Sequence, residues 1–299
     1  MPELPEVENL RIGLEKVILD QKILNIEVKN LKIISGKGTT RTASTVKAKE
    51  FKQGLEGEKF TGVKRRAKNL IFELSHDKFI LAHLKMTGQF AYHANDGKNK
   101  INGGHPIEIS ETSLPNKHTH VIFKLEKGNL YYNDTRKFGY VLYFESKKSF
   151  DKEDNFNKLG LEPLDKYFNV KYLAENLKNK KGKVKALLLD QSIVTGIGNI
   201  YADESLFESG IMPTRIGSTL TQNEVTKLHS TLIRIIKRAI KVGGSSVATY
   251  RLIDESKGNY AREHKVYGKT GKPCLNCQTT LEKTVVQGRT TVFCNKCQK

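Results

Sequence analysis

Four cysteines carry the most explicit chemistry in the 299-residue chain: Cys274 and Cys277 form one C-x-x-C pair, Cys294 and Cys297 a second, with sixteen residues between the pairs. Each pair bends its own turn so that two thiolates can meet one tetrahedral ion, and four protein ligands leave no open position for catalysis. One structural zinc ion is therefore expected. Between the pairs, Val285, Val286, Thr290, Thr291, Val292 and Phe293 predict a β-hairpin with Gln287-Gly288-Arg289 at its turn, where Arg289 can reach a phosphate or a groove. A second candidate is Thr195-Gly196-Ile197-Gly198-Asn199. A turn with two glycines that opens a helix exposes backbone N–H groups to a phosphate, and Asn199 adds side-chain donors at the helix entrance. Lys and Arg outnumber Asp and Glu by 51 to 32, a formal charge of +19 that points to a polyanionic partner, nucleic acid first. The cysteines all follow residue 273, which does not suit a disulfide scaffold and fits a reducing compartment.

The elements that must position these residues show in the periodicity. After Pro5, the apolar residues Val7, Leu10, Leu14, Val17 and Ile18 recur at helical spacing, so a helix should begin almost at the first residue. From 23 to 144 the pattern turns β-rich, as in Asn69-Leu70-Ile71-Phe72-Glu73-Leu74 and His120-Val121-Ile122-Phe123-Lys124-Leu125, with turn signals at Ser75-His76-Asp77 and Lys127-Gly128-Asn129. This predicts antiparallel hairpins in a β-sandwich capped by the first helix. The polar stretch 94–117 is expected to be a long loop inserted between strands. Farther on, Val225, Leu228, Leu232, Ile235, Ile236 and Ala239 make one face of a helix over 222–241, Thr221 and Glu224 form its capping box, and Gly243-Gly244 stops it. No apolar run approaches the roughly 20 residues of a membrane span, and the start MPELPEVENL is unlike a signal peptide. A cytoplasmic protein is expected.

Pro2-Glu3-Leu4-Pro5-Glu6-Val7-Glu8, Gly196-Ile197-Gly198-Asn199-Ile200-Tyr201-Ala202 and the terminal four-cysteine finger together resemble the formamidopyrimidine-DNA glycosylase family, which also contains endonuclease VIII. The resemblance runs in order over nearly the whole chain. It implies an α+β protein of two domains: an N-terminal catalytic β-sandwich capped by helices over 1–145, a linker over 146–168, a helix-two-turn-helix DNA-binding domain with a lesion loop over 169–264, and a zinc finger over 265–299. It also implies a bacterial-type monomer that binds double-stranded DNA containing a damaged base or abasic site in the cleft between its domains.

The implied chemistry agrees with the residues. Removal of Met1 leaves Pro2 a secondary amine whose ordinary pKa, near 8, lies about two units below that of Lys, so more of it is nucleophilic at neutral pH. Glu3 matches the family's acid, which protonates the sugar ring oxygen, and Glu6 holds the N-terminal turn together. By the same resemblance Lys68 binds a phosphate near the lesion, and Lys185 lies near the damaged site. Met86, Arg136 and Phe138 fill the void left by an extruded nucleotide, with Phe138 as wedge, Met86 as flexible apolar body and Arg136 facing the orphaned base. Two departures bear on substrate choice: the insertion 94–117 is long, and Ala248 stands where many members carry a basic residue. Oxidised purines are the expected substrates. An endonuclease VIII-like preference for oxidised pyrimidines is disfavoured by the Met86 and Arg136-x-Phe138 pattern, and a catalytically silent damage binder by intact Pro2 and Glu3.

Overall fold

The computed structural model describes residues 1–38, 41–96, 100–104, 114–178, 180–245 and 259–299. Ala248, residues 251–258 of the expected lesion loop, and residues 97–99 and 105–113 of the insertion lie outside the described residues. The chain divides into two compact units, Met1–Asp154 with Gly243–Asn259, and Asn155–Val242 with Tyr260–Lys299.

The first unit runs α1 (Leu4–Ile18), β1 (Ile23–Val28), α2 (Leu31–Ile34), α3 (Thr45–Leu55), β2 (Phe60–Arg66), β3 (Asn69–Leu74), β4 (Lys78–His83), β5 (Gly88–Ala94), β6 (Lys100–Gly104), β7 (Thr119–Leu125), β8 (Gly128–Asp134), β9 (Tyr140–Phe144) and α4 (Lys147–Asp151). Its strands form two antiparallel sheets, ordered β1-β7-β8-β5-β6 and β2-β3-β4-β9. Strand β3 shows why: Leu70, Phe72 and Leu74 alternate inward, and the pleat sends the intervening residues to the other face. Phe60 and Phe72 of one sheet meet Phe90 and Tyr132 of the other in a run of edge-on rings with centroids 5.1 to 5.9 Å apart. Such pairs add about 1 kcal/mol each beyond their area burial. Val7, Leu10, Leu14 and Ile18 of α1 pack into the same core.

Part of the stretch expected as a loop over 94–117 is a strand. β6 pairs with the outer edge of β5 from His93↔Lys100 to Gln89↔Gly104. Its sequence, Lys100-Ile101-Asn102-Gly103-Gly104, has little intrinsic β preference, so the pairing comes from the open edge of β5. Residues 146–168, expected as a linker, also hold ordered elements. Phe150 of α4 stacks on Phe79 of β4 with centroids 5.0 Å apart, and α5 (Asp154–Asn157) follows. In the second unit, Leu161 bridges to Val194 and Gly160 N donates to Gln191 O at 2.8 Å. A few apolar anchors hold a segment whose charge density suggests solvent.

The second unit continues with α6 (Val170–Lys178), α7 (Val184–Leu189), α8 (Asn199–Ser209), α9 (Gln222–Lys241), β10 (Glu282–Val286) and β11 (Arg289–Phe293). Helix α9 starts at the expected capping box: Thr221 Oγ1 accepts from Glu224 N at 3.3 Å, and Glu224 Oε2 accepts from Thr221 N at 2.8 Å. Its six expected apolar positions are all buried.

Candidate catalytic turn and DNA-binding positions

The first turn of α1 is sealed into its unit. Pro5 costs no hydrogen bond there because the first helical N–H groups have no intrahelical acceptor. Pro2 is buried, and Glu3 and Glu6 are 4% and 2% exposed. Glu6 Oε2 accepts from Glu3 N at 2.9 Å, while Oε1 accepts from Ser245 N at 2.7 Å. One carboxylate thus ties the residue after Pro2 to the strip of chain that follows α9. Gly243 and Gly244 make this possible. Both adopt left-handed φ, +88° and +81°, and a Cβ on Gly244 would fall 2.8 Å from Glu6 Oε1. The pair reads in sequence as a helix stop; its contact with Glu6 was hidden because the partners are 239 residues apart.

Glu8 extends the framework from α1 to β2. It accepts from Arg65 Nε at 2.7 Å and Arg11 Nε at 2.8 Å. Burial opposes its charge, yet hydrogen bonds from Arg65 and Arg11 hold its carboxyl below the ordinary value of 4.5. Arg65 also donates to Ala67 O at 2.9 Å, bracing the two-residue turn Ala67-Lys68 between β2 and β3. Lys68 is buried at that turn. His83, paired with Asn69 across β3 and β4, is pushed well below 6.5 by burial and then by the charges of Lys85, Lys68 and Lys37. It is therefore neutral near pH 7, and its Nδ1 accepts from Lys85 N at 2.9 Å.

Topology brings the expected void-filling residues together. The β4–β5 connection carries Met86 and the β8–β9 connection carries Arg136 and Phe138. Because β5 pairs with β8 in one sheet and β4 with β9 in the other, both connections cross at the same end of the sandwich and lie side by side. Met86, Arg136 and Phe138 are exposed at their tips, and the Arg136 guanidinium sits 4.7 Å over the Phe138 ring.

In the second unit, α8 begins at Asn199 with Gly198 as its N-cap, so Asn199 is the first helical residue and not the cap. The preceding turn is gripped by Gln191, unremarked in the sequence, whose Nε2 donates to Ile197 O at 2.9 Å and whose Oε1 accepts from Gly196 N at 2.9 Å. Asn199 Nδ2 donates to Thr290 O at 2.9 Å, joining α8 to the hairpin that presents Arg289. Arg289 is exposed just after the turn Gln287-Gly288, whose residues both take positive φ as a two-residue hairpin of this kind requires.

Lys185 is held from two sides inside the second unit. It is 0% exposed on α7, its ammonium 2.6 Å from the equally buried Asp203 of α8 and 2.7 Å from Thr291 Oγ1. The inward face of α7 makes it a strut between two helices and the hairpin. Burial pushes the Asp203 carboxyl up to about 7 even against the pull of Lys185. Glu204, next on α8, captures three successive backbone N–H groups, of Lys265, Val266 and Tyr267, at 2.8 to 2.9 Å, and so anchors the chain that enters the finger.

Cys274, Cys277, Cys294 and Cys297 bring their sulfurs within 4.8 Å of one another. The pairs Cys277–Cys294 and Cys274–Cys297 lie at 3.5 and 3.9 Å. Four thiolates at ~2.3 Å from one tetrahedral ion would sit about 3.8 Å apart, so the set is positioned to bind a metal ion. The finger rests on Phe207 of α8 and on the chain just after that helix, where Gln298 Nε2 donates to Ile211 O at 2.8 Å.

A β-sandwich that seals its own first helical turn is thus followed by a helical unit closed by a four-thiol finger positioned to bind a metal ion. The chain belongs to the formamidopyrimidine-DNA glycosylase family: models of that enzyme's N-terminal domain, of its H2TH domain and of the zinc finger found in FPG and IleRS match residues 1–141, 159–251 and 271–299. It is 37% identical over 298 residues to the formamidopyrimidine-DNA glycosylase of Desulfitobacterium hafniense, covering 100% of both chains. Among solved structures, it is similar to a Lactococcus lactis FPG mutant in complex with Fapy-dG containing DNA, with TM-score 0.85, 36% identity and 100% of both chains covered. It is also similar to the Lactococcus lactis Fpg bound to abasic site containing DNA, with TM-score 0.85, 35% identity and 99% of each chain covered. Among the described residues no helix is long and apolar enough to cross a membrane.

Proposed function

We propose that the chain excises oxidised purines, 8-oxoguanine and formamidopyrimidines, from double-stranded DNA and then cleaves the strand, with Pro2 as nucleophile. The observation that carries this reading is the sealed turn in which Glu6 binds the backbone N–H next to Pro2 at 2.9 Å and is itself anchored by Ser245 N at 2.7 Å. A nucleophile is useful only if its nitrogen is held in reach of C1′, and two carboxylate bonds supply that hold.

With Met1 removed, the Pro2 nitrogen attacks C1′ as the bond to the base breaks; the base leaves with its electron pair and takes up the proton that the nitrogen sheds. The N-terminal end of α1 disfavours the protonated amine and keeps it nucleophilic. Glu3 gives a proton to the ring oxygen O4′ as the sugar opens, leaving an iminium. That cation takes up the electrons released when C2′ loses a proton, which expels the 3′ phosphate; a second such elimination expels the 5′ phosphate. Water then releases the sugar remnant and restores the amine. Lys68, Asn199 and Arg289 hold backbone phosphates, and Met86, Arg136 and Phe138 occupy the space of the extruded nucleotide. One zinc ion at the four cysteines stabilises the finger and supplies no chemistry to the reaction. The protein works as a monomer on cytoplasmic, nucleoid-associated DNA.

The test is a panel of duplexes, each with one 8-oxoguanine, formamidopyrimidine, oxidised pyrimidine or abasic site. Base release with a gap bearing phosphate at both ends, fastest for the purine lesions, is expected. Tight lesion binding with no strand cleavage would overturn the reading.

A further inference from the structure

We infer that Asp134 and Thr87 are positioning residues that set the two void-filling loops in one arrangement, and that this arrangement governs how the base opposite the lesion is read. The inference rests on the void-filling role proposed for Met86, Arg136 and Phe138.

Asp134 ends β8 and is fully buried. Its carboxylate is spent on the two loops. Oδ1 accepts from the hydroxyl of Thr87, the residue after Met86, and from Arg136 N at 3.2 Å; Oδ2 accepts from Gly139 N at 2.7 Å. Arg136 N is shared with Thr87 Oγ1 at 3.0 Å, so each loop holds the other through the same carboxylate. From the opposite side Arg41 donates to Gly139 O at 2.6 Å and to Lys137 O. The Arg136–Gly139 segment is thereby gripped by an anion at its N–H groups and by a cation at its carbonyls. Lys85 and Lys137, each beside a void-filling residue, have left-handed φ of +50° and +58°. Such backbone costs about 1–2 kcal/mol per residue and persists only where its surroundings fix it. Gly139 is pressed so closely that a Cβ would lie 2.7 Å from His83 O.

The tips are exposed while the roots are locked. A probe held this way need not be ordered when it enters the duplex, so the contact of Arg136 with the orphaned base differs sharply between partner bases. Loosened roots would let the guanidinium follow either partner, and discrimination would fall before chemistry does.

The experiment compares Thr87→Val, Thr87→Ser, Asp134→Asn, Arg136→Ala and Met86→Ala in zinc-loaded protein. Readouts are the ratio of 8-oxoguanine excision rates opposite cytosine and opposite adenine, cleavage of a preformed abasic site, and fluorescence of 2-aminopurine placed opposite the lesion. Thr87→Val keeps shape and deletes the hydroxyl that donates to Asp134 and accepts from Arg136 N. It should compress the ratio threefold or more and weaken the 2-aminopurine response, with abasic-site cleavage within twofold of the parent and the ratio restored by Thr87→Ser. If Arg136→Ala collapses the ratio while Thr87→Val leaves it unchanged, the inference fails and the void-filling reading stands. Equal loss by Thr87→Val on every substrate also refutes it, as a general structural effect. If neither Arg136→Ala nor Met86→Ala moves the ratio or the fluorescence, the void-filling reading itself fails and takes the inference with it.

Discussion

Replacing Lys185 with methionine removes an ammonium from a site where both members of the ion pair are 0% exposed. The stem volume is nearly kept, so the loss is electrostatic. Removing one partner of a buried pair costs about 3–5 kcal/mol, because the other charge stays uncompensated. Asp203 has an escape: burial already pushes its carboxyl up to about 7, so near pH 6 it takes a proton with little penalty. A carboxyl raised in the folded state gives stability that is full below about 4 and is lost as pH climbs through 7. Without Lys185 the folded value rises further, and the loss extends to higher pH. The destabilisation should therefore be near 3 kcal/mol or less at pH 6 and larger at pH 8, a fall in melting temperature of roughly 10 °C at the upper pH. Differential scanning calorimetry at both values measures this, and Lys185→Met combined with Asp203→Leu should recover part of the loss. A shift under 2 °C at both pH values, or a double variant less stable than the single one, would refute the reasoning.

His264, held down to about 4 by burial and then by Lys269, is neutral in the folded protein, so its contribution is present above about 6.5 and is lost as pH falls through 4. His264→Phe should remove about 3 kcal/mol of acid destabilisation over that window, seen as a flatter melting-temperature profile; an unchanged profile counts against it. Chelation should release one zinc per chain, unfold the β10–β11 hairpin and abolish duplex binding, and active protein lacking stoichiometric zinc by elemental analysis would contradict the metal assignment. Arg289→Ala, Asn199→Ala and Lys68→Ala should each weaken binding to damaged and undamaged duplex alike; the two cation deletions should lower the log–log salt slope by about one each, and Asn199→Ala, which removes a neutral donor, should leave the slope unchanged. Slopes equal to the parent in both Arg289→Ala and Lys68→Ala, or unchanged affinity in Asn199→Ala, would remove the phosphate role of the residue concerned.

What was legible in the sequence is what local rules determine. The start and end of α9, the capping pair Thr221 and Glu224, the hairpin between the cysteine pairs and the alternation of β3 all follow from period, caps and turn residues. Interactions set by tertiary placement were not legible. Nothing near Lys185 says that Asp203 will face it from the next helix, and a basic residue on a short helix reads as solvated until its face is known. Asp134 looks like an ordinary strand-end acid, and its hub role depends on two connections from distant strands crossing at one end of the sandwich. β6 escaped for the opposite reason: its own residues argue against a strand, and the partner edge decides. The family resemblance supplied roles for Met86, Arg136 and Phe138 that composition alone could not.

The central claim is that the Pro2 nitrogen forms a bond to C1′. Borohydride added during turnover of an 8-oxoguanine duplex should reduce the iminium to a stable amine, and tandem mass spectrometry of the digested adduct should place the sugar on Pro2 at the chain's first position. Protein with Met1 retained, whose Pro2 nitrogen is an amide, should give neither adduct nor cleavage while still binding the lesion. An adduct mapped to Lys68 or Lys185, with the N-terminally blocked protein fully active, would contradict the account.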